Sequence, residues 1–211
     1  MSAACRAPQR LNRTRSRSRR HAVLASAGAA IAALVLSACG SGGVSGGSGN
    51  TNFITGKDGI ATVKKGERDT APDLSGTTID GKKLDVASYK GKIVVLNVWG
   101  SWCPPCRAEA SNFVKVAKDN ERNGVQFVGI NTRDTSTGPA RAFEKEYGVT
   151  YPSLYDPTGK LMLRFKKGTL NPQAIPSTLV IDRDGKIAAR TLQPLTEEKL
   201  REMIDPVVAE K

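Results

Sequence analysis

Histidine is nearly absent from this chain, which has one, His21, in 211 residues. That histidine lies in an arginine-rich leader, outside the part of the chain that we expect to fold. A structural zinc centre needs four ligands, usually cysteine and histidine. The two cysteines of the folded part, Cys103 and Cys106, leave such a set incomplete. The shortage of histidine therefore argues against a metal site.

Acidic residues are absent before residue 39, whereas seven of the 32 basic residues precede residue 21. The rest of the chain has 25 basic and all 20 acidic residues, so its formal charge is about +5, against +12 for the whole chain. The sequence has no basic helix and no interleaving of aromatic with basic residues, which are the patterns that would indicate nucleic-acid binding. The charge reflects the leader, and we expect no nucleic-acid partner.

Long apolar runs are also rare. The longest, residues 22–38, has 17 residues, which is short for a membrane-spanning helix and typical of a secretion signal behind a charged segment. It ends in "LSAC" and resembles the lipobox of bacterial lipoproteins, which implies cleavage before Cys39 and acylation of that cysteine, with palmitate as an expected chain. An uncleaved anchor helix is the alternative. The Arg19-Arg20 pair leaves both the general and the twin-arginine export routes open.

A Gly/Ser-rich stretch, "GSGGVSGGSGN", follows Cys39 directly and suits a tether between a lipid and a folded domain. We expect a signal peptide at 1–38, a tether at 39–57 and one domain at 58–211. Both interpretations of the leader place this domain outside the cytoplasm, at the membrane surface. Cys5 leaves with the leader, so the domain keeps two cysteines, too few for a disulfide framework.

Strand and helix patterns alternate along the domain. The run "KIVVLNVWG" predicts a central strand buried on both faces, and "VQFVGINTRD" predicts a second. Helices are predicted after "CPPC", between about Thr137 and Gly148, and from Thr196 onward. Asp-Gly pairs in "IDGKK" and "DRDGK" predict two hairpins. This order predicts an α/β fold with a mixed central sheet flanked by helices and an N-terminal β-hairpin extension.

The stretch "WGSWCPPCRAE", residues 99–109, carries the candidate chemistry. Cys103 lies where a strand meets a helix, and the unpaired N–H groups and positive dipole of a helix start favour a thiolate. Cys106 lies one turn further on the same face, within reach of Cys103. We therefore expect Cys103 to be an exposed nucleophile and Cys106 to be the sheltered thiol that resolves a mixed disulfide.

"WCPPC" after "VVLNVWGS", with "AIPSTLVIDRDGKI" some 70 residues later, resembles the thioredoxin superfamily. The resemblance is closest to its membrane-anchored TlpA/ResA-like extracytoplasmic members and covers about residues 70–208. It implies a thioredoxin-like fold and a cis peptide bond before Pro176. It also implies that the backbone of Ile175 pairs with a substrate chain as an added strand would, and that Trp102 shields the disulfide.

Two positions differ from cytoplasmic thioredoxins. Asn97 stands where those proteins have a buried aspartate, and it cannot take a proton. Glu109 instead matches an acid found beside the CxxC of ResA-like proteins. There it would relay protons to Cys106 and raise thiol pKa values. The alternative is a solvated glutamate in the first turn of the helix.

The dipeptide between the cysteines is Pro104-Pro105. Strongly oxidising relatives carry a histidine there, so the resemblance implies a thiol–disulfide oxidoreductase that works as a reductase of disulfides in exported proteins, such as apocytochrome c before haem attachment. A membrane thiol transporter of the CcdA or DsbD type would supply electrons. We expect no cofactor beyond the dithiol/disulfide, and a monomer anchored to the cell membrane by the lipid on Cys39.

Other functions give different expectations. An oxidase or isomerase for secreted proteins would instead need a quinone-linked membrane partner. A metallochaperone of this fold needs a CxxxC and a later histidine, and a peroxiredoxin-like peroxidase needs Pro-x-x-x-Thr-x-x-Cys; the chain has neither pattern. A structural lipoprotein with an incidental disulfide would keep its function when Cys103 is replaced by serine.

Overall fold

A computed structural model describes residues 51–210. The predicted signal peptide and Cys39 lie outside these residues. The strands are β1 Ile54–Thr55, β2 Ile60–Thr62, β3 Ser75–Thr77, β4 Lys83–Asp85, β5 Ile93–Trp99, β6 Val125–Thr132, β7 Ser153–Asp156, β8 Ser177–Ile181 and β9 Ile187–Thr191. The α-helices are α1 Pro104–Asn120, α2 Thr137–Tyr147 and α3 Glu197–Ala209, and short 3₁₀ helices occupy Val86–Tyr89, Glu121–Asn123 and Met162–Arg164.

Seven strands form one mixed sheet in the order β1-β2-β9-β8-β5-β6-β7, and β3 and β4 form a separate hairpin. The central strand β5 runs parallel to β6 and antiparallel to β8. All seven residues of β5 are buried, as its continuous apolar sequence predicts for a strand covered on both sides. The predicted α/β fold, with its hairpin extension around Gly81, is confirmed.

The two faces of the sheet are covered differently. Ile93 and Val95 point into a core that includes side chains of α1 and α3. Val94 and Leu96 point the other way, into a core whose members in residues 51–210 include no residue of the three α-helices. The hairpin and the 3₁₀ segments cover this second face, with the side chains of Leu74, Leu84, Val86, Met162 and Phe165.

The helix boundaries follow from local signals. Pro104 and Pro105 open α1, where a proline loses no helical hydrogen bond. The second helix, α2, ends at Gly148, whose φ of 70° is a left-handed conformation that suits glycine. Thr196 caps α3 by accepting a hydrogen bond from the Lys199 N–H. The three predicted helices are confirmed.

The sheet begins earlier than the predicted domain boundary. Strand β1 starts at Ile54 and pairs with β2, so residue 58 falls inside the first hairpin rather than before the domain. The hairpin continues the sheet because β2 pairs in turn with β9. Among residues 51–210 no helix combines the length and the apolar composition that crossing a membrane requires.

Candidate active site

The site lies where β5 ends and α1 begins. Cys103 is the N-cap residue of α1, with extended backbone angles, and Cys106 is in the first turn. Their sulfurs form a disulfide, with Cα atoms 5.3 Å apart. The strand-to-helix junction thus brings the two predicted cysteines together, since three residues of a helical turn return the chain to the same side.

The two prolines limit the number of backbone N–H groups that the helix can offer to the Cys103 sulfur. Neither Pro104 nor Pro105 has an N–H group, so the first turn offers the sulfur one donor: the Cys106 N–H lies 3.2 Å from Cys103 Sγ. The next N–H, of Arg107, is bonded to the Cys103 carbonyl at 3.2 Å. The sequence predicted several N–H groups for a thiolate here, and the structure corrects that number to one.

The disulfide is not on the surface. Cys103 and Cys106 are each 1% exposed, so the prediction of an exposed nucleophile is wrong for the oxidised form. The segment before β8 explains this, because the Ile175 carbonyl oxygen lies 3.7 Å from Cys103 Sγ. The Ile175–Pro176 peptide bond is cis, as the resemblance implied.

Glu109 lies inside the protein, one turn after Cys106. It is 2% exposed, which rules out the solvated glutamate left open by the sequence. One carboxylate oxygen accepts a hydrogen bond from Asn97 Nδ2 at 3.0 Å, and the other accepts one from the Leu195 backbone N–H at 2.9 Å. The Asn97 amide also lies 3.3 Å from Thr178 Oγ1.

Burial sets the proton affinity of Glu109. Loss of hydration raises its pKa from 4.5 to about 7, while the hydrogen bonds from Leu195 and Asn97 act in the opposite direction. A carboxyl group with this pKa exchanges a proton near neutral pH, which is what a proton relay requires. The sequence does not predict the hydrogen bond from Leu195, because its backbone N–H lies 86 residues further along the chain.

Trp102 stands at the rim of the site with 46% of its surface exposed. Its indole N–H donates to the Thr132 carbonyl at 3.2 Å. A Cβ at position 100 would lie 2.5 Å from the indole nitrogen, so Gly100 allows the ring to fold back over the chain. The Arg133 guanidinium lies 5.6 Å from the centre of the same ring. Trp99, by contrast, is buried and stacks on Phe143.

A second buried carboxylate, Asp134, lies beside the loop that precedes the cysteines. It accepts hydrogen bonds from the Ser101 N–H at 3.0 Å, from the Ser101 hydroxyl, and from Asn131 Nδ2 at 2.6 Å. Its own backbone carbonyl accepts from the Tyr155 hydroxyl at 3.0 Å. Sequence analysis missed Asp134 and Arg133, because the contacts that bring them to the site join segments more than 30 residues apart.

The chemistry of the described residues centres on the two sulfurs. Within residues 51–210 no three histidine, cysteine, aspartate or glutamate side chains come together in a group that could hold a metal ion. The site can make and break the Cys103–Cys106 bond, beside a titratable carboxyl group and a peptide carbonyl.

Comparison with known proteins gives consistent matches. Residues 68–190 match the profile described as the AhpC/TSA family. The thiol-disulfide oxidoreductase ResA of Bacillus thuringiensis strain Al Hakam is 30% identical over 130 residues, which cover 62% of this chain and 72% of the relative. The thiol:disulfide interchange protein HelX of Rhodobacter capsulatus is 32% identical over 151 residues, 71% of this chain and 80% of the relative.

A solved structure gives the same picture. A secreted thiol-disulfide isomerase from Corynebacterium glutamicum superposes with a TM-score of 0.69 at 28% identity. The match covers 77% of this chain and 99% of that one.

Proposed function

The chain belongs to the AhpC/TSA family and is a thiol–disulfide oxidoreductase, and from that premise we propose that it reduces disulfides in exported proteins. One observation carries the proposal: a disulfide at the start of a helix lies against the carbonyl of Ile175. The reactive sulfur and a backbone edge for a substrate chain are thereby in one place. Apocytochrome c is the substrate we propose first, in keeping with the resemblance to ResA-like proteins.

The reaction passes two electrons through Cys103. In the reduced protein its thiolate attacks one sulfur of the substrate disulfide, forms a mixed disulfide and releases the other substrate sulfur as a thiolate. The Cys106 thiolate then attacks Cys103 Sγ, which reforms the bond seen here and releases the second substrate sulfur. The two thiol protons of the protein end on the two substrate thiolates, and Glu109 holds one in transit.

The substrate chain is bound by Ile175. Within residues 51–210 neither the Ile175 N–H nor its carbonyl has a backbone hydrogen-bond partner, and the carbonyl oxygen lies 3.7 Å from Cys103 Sγ. An extended substrate segment can take up both groups, as in the addition of a strand to a sheet. Pro176 fixes the direction of these groups, and Trp102 covers the other side of the entrance.

The direction of electron transfer between the protein and its substrate depends on how well the Cys103 thiolate is stabilised. Many N–H hydrogen bonds or a nearby histidine stabilise the thiolate and therefore the reduced protein. A protein whose reduced form is stabilised in this way is an oxidant of its substrates. Here the two prolines leave Cys106 N–H as the one backbone donor in the first turn. The disulfide form is therefore relatively favoured, and the reduced protein readily gives up its electrons.

The location and partners belong to the same proposal. Cleavage before Cys39 and its acylation would hold the domain at the outer face of the cell membrane, as a monomer. A membrane thiol transporter of the CcdA or DsbD type would re-reduce Cys103–Cys106 after each turnover. Replacing Cys39 by alanine should then release processed protein from the membrane fraction; retention of processed Cys39→Ala protein would contradict the lipid anchor.

The deciding experiment is the reduction potential of the Cys103–Cys106 pair, measured on the full chain in detergent against glutathione or dithiothreitol. A value near or below about −250 mV indicates a reductase, and a value near about −120 mV indicates an oxidase. Pro105→Ala supplies one more N–H to Cys103 and should raise the potential by about 30 mV, the equivalent of one charged hydrogen bond. Cys103→Ser is the inactive control.

The second candidate function is that of an oxidase or isomerase of secreted proteins. It is favoured by the name of the Corynebacterium glutamicum protein, a secreted thiol-disulfide isomerase with a closely similar fold. The same measurement separates the two functions. A high potential, together with refolding of a scrambled disulfide protein, would replace the reductase by this alternative.

A further inference from the structure

Arg133 directly follows β6, at the end of the sheet that holds the cysteines. Its φ is 59°, and it is the one non-glycine residue with a positive φ in the part of the chain that the structure describes. This left-handed region disfavours residues with a Cβ. Strained backbone of this kind is concentrated at functional sites, where the surrounding contacts maintain it.

The side chain of Arg133 joins two segments at the entrance to the disulfide. On one side its guanidinium lies 5.6 Å from the centre of the Trp102 ring. On the other side Nη2 donates to the Pro172 carbonyl and lies 3.3 Å from Gln173 Oε1. Trp102 precedes Cys103, and Gln173 is two residues before Ile175. Arg133 therefore spans the entrance.

Most of the guanidinium remains available for binding. Arginine carries five N–H donors, and the contacts above use the two on Nη2. Those on Nε and Nη1 have no partner within residues 51–210, and Arg133 forms no ion pair there. The side chain is exposed to solvent. A fixed, unpaired cation with three open donors thus lies beside the proposed path of the substrate.

We propose that Arg133 is a specificity-determining residue that binds a carboxylate of the substrate chain next to the reacting cysteine. The inference rests on the proposed function, because it needs a disulfide-bearing chain to lie along Ile175. The open Nη1 or Nε donor can give a carboxylate oxygen a charge-assisted hydrogen bond, which is shorter and stronger than a bond between neutral groups. The contacts with Trp102 and Pro172 hold the side chain in advance, so that little freedom is lost on binding.

The test compares three disulfide peptides that differ at one residue beside a cysteine: glutamate, glutamine or lysine. The reduced full chain in detergent is mixed with each peptide, and the second-order rate constant is measured by stopped flow. We expect the glutamate peptide to react about threefold to fivefold faster than the glutamine peptide, and the lysine peptide more slowly than either. High salt should shrink these ratios.

Variants of the protein assign the preference to Arg133. In Arg133→Gln the glutamate and glutamine peptides should react at equal rates, whereas Arg133→Lys should keep part of the preference through its charge. Arg122→Gln is the matched control, since it removes the same charge just beyond the far end of α1, about 28 Å from Cys103 along the helix. It should leave all three rates unchanged.

A spectroscopic readout tests the contact itself. In a Trp99→Phe background the remaining tryptophan, Trp102, reports on the guanidinium above its ring. Arg133→Gln should change the intensity and position of its emission, and the Arg122→Gln control should not. Unchanged emission in Arg133→Gln would show that the guanidinium does not lie against the ring in solution.

The other outcomes are equally decisive. Equal rates for the three peptides in the wild-type protein would overturn the inference without need of any variant. If Arg133→Gln lowered the rate constants of all three peptides equally, the residue would act only by shaping the loops. If the wild-type protein reduces none of the peptides, the proposed function fails instead, and Cys103→Ser gives the baseline for that conclusion.

Discussion

The structure buries two carboxylates beside the active-site loop and treats them differently. Asp134 is 4% exposed and Glu109 is 2% exposed, so both have left water. Asp134 accepts three hydrogen bonds, two of them from Ser101. Glu109 accepts two, one on each oxygen. The comparison teaches that two equally buried carboxylates can differ in the number and the origin of the hydrogen bonds they accept.

The two environments also differ in where their donors come from. Ser101 lies two residues after β5 and Asn131 lies near the end of β6, so Asp134 ties together the ends of two neighbouring strands. The donors of Glu109 come from Asn97 in the centre of the sheet and from Leu195, before α3. Asp134 therefore fixes the entrance loop, whereas Glu109 lies beneath the helix that holds the cysteines.

The largest effect should come from Glu109→Gln on the pH dependence of stability. The folded pKa of about 7 lies above the ordinary 4.5, so the folded protein binds this proton more tightly than the unfolded chain does. Stability from this group is complete below about pH 4.5 and falls as pH rises to about 7, by on the order of 3 kcal/mol. Glutamine removes that fall, which urea unfolding at pH 5 and pH 8 would measure.

Glu121→Gln is the matched control for that experiment, because Glu121 is an exposed glutamate just after α1. It should leave the pH dependence unchanged. A Glu109→Gln protein that still loses the same stability between pH 5 and pH 8 would remove Glu109 from the proposed proton relay.

Asp134→Asn should have the next largest effect, of another kind. Its amide would point donors at the Ser101 N–H or at Asn131 Nδ2, leaving buried groups unsatisfied, and unfolding should become easier by about 2 kcal/mol. The pH profile of disulfide exchange should keep its inflection near neutral pH, because Glu109 is untouched. If the inflection moved in Asp134→Asn and stayed in Glu109→Gln, the two roles would have to be exchanged.

The smallest effect should come from Asn97→Ala, which removes one of the two donors to Glu109. The pKa of Glu109 should rise further, and the stability of the ionised form should fall by about 1 kcal/mol. The inflection of the exchange rate should then move to higher pH. Thr178→Val is the control, since it removes a neighbour of Asn97 without touching Glu109. An inflection that moved equally in both variants would point to a general disturbance of the sheet.

Much of the fold was predictable because its signals are local. The apolar run of β5, the prolines at the start of α1 and Gly148 at the end of α2 each depend on neighbours within a few residues. The pairing of Cys103 with Cys106 belongs to the same class, since three residues separate them. A single sequence contains such signals in full.

The parts of the site that sequence did not give depend on long-range contacts. Burial of Cys103 comes from Ile175, 72 residues away, and Glu109 is held by Leu195, 86 residues away. The left-handed backbone of Arg133 has no signature in its residue type. Sequence could say which cysteines lie within reach of each other, but the exposure of the cysteines and the proton affinity of Glu109 follow from how distant segments pack.

The burial of Cys103 should determine whether a substrate is reduced before or after it has folded. In the disulfide form Cys103 is 1% exposed and lies beneath the carbonyl of Ile175, so we expect a slender, unfolded segment of chain to reach it more easily than a rigid surface. Disulfides inside folded proteins should then react slowly, even where they are chemically reducible. We therefore expect the protein to act on newly exported chains, and a substrate to become inaccessible once it has folded.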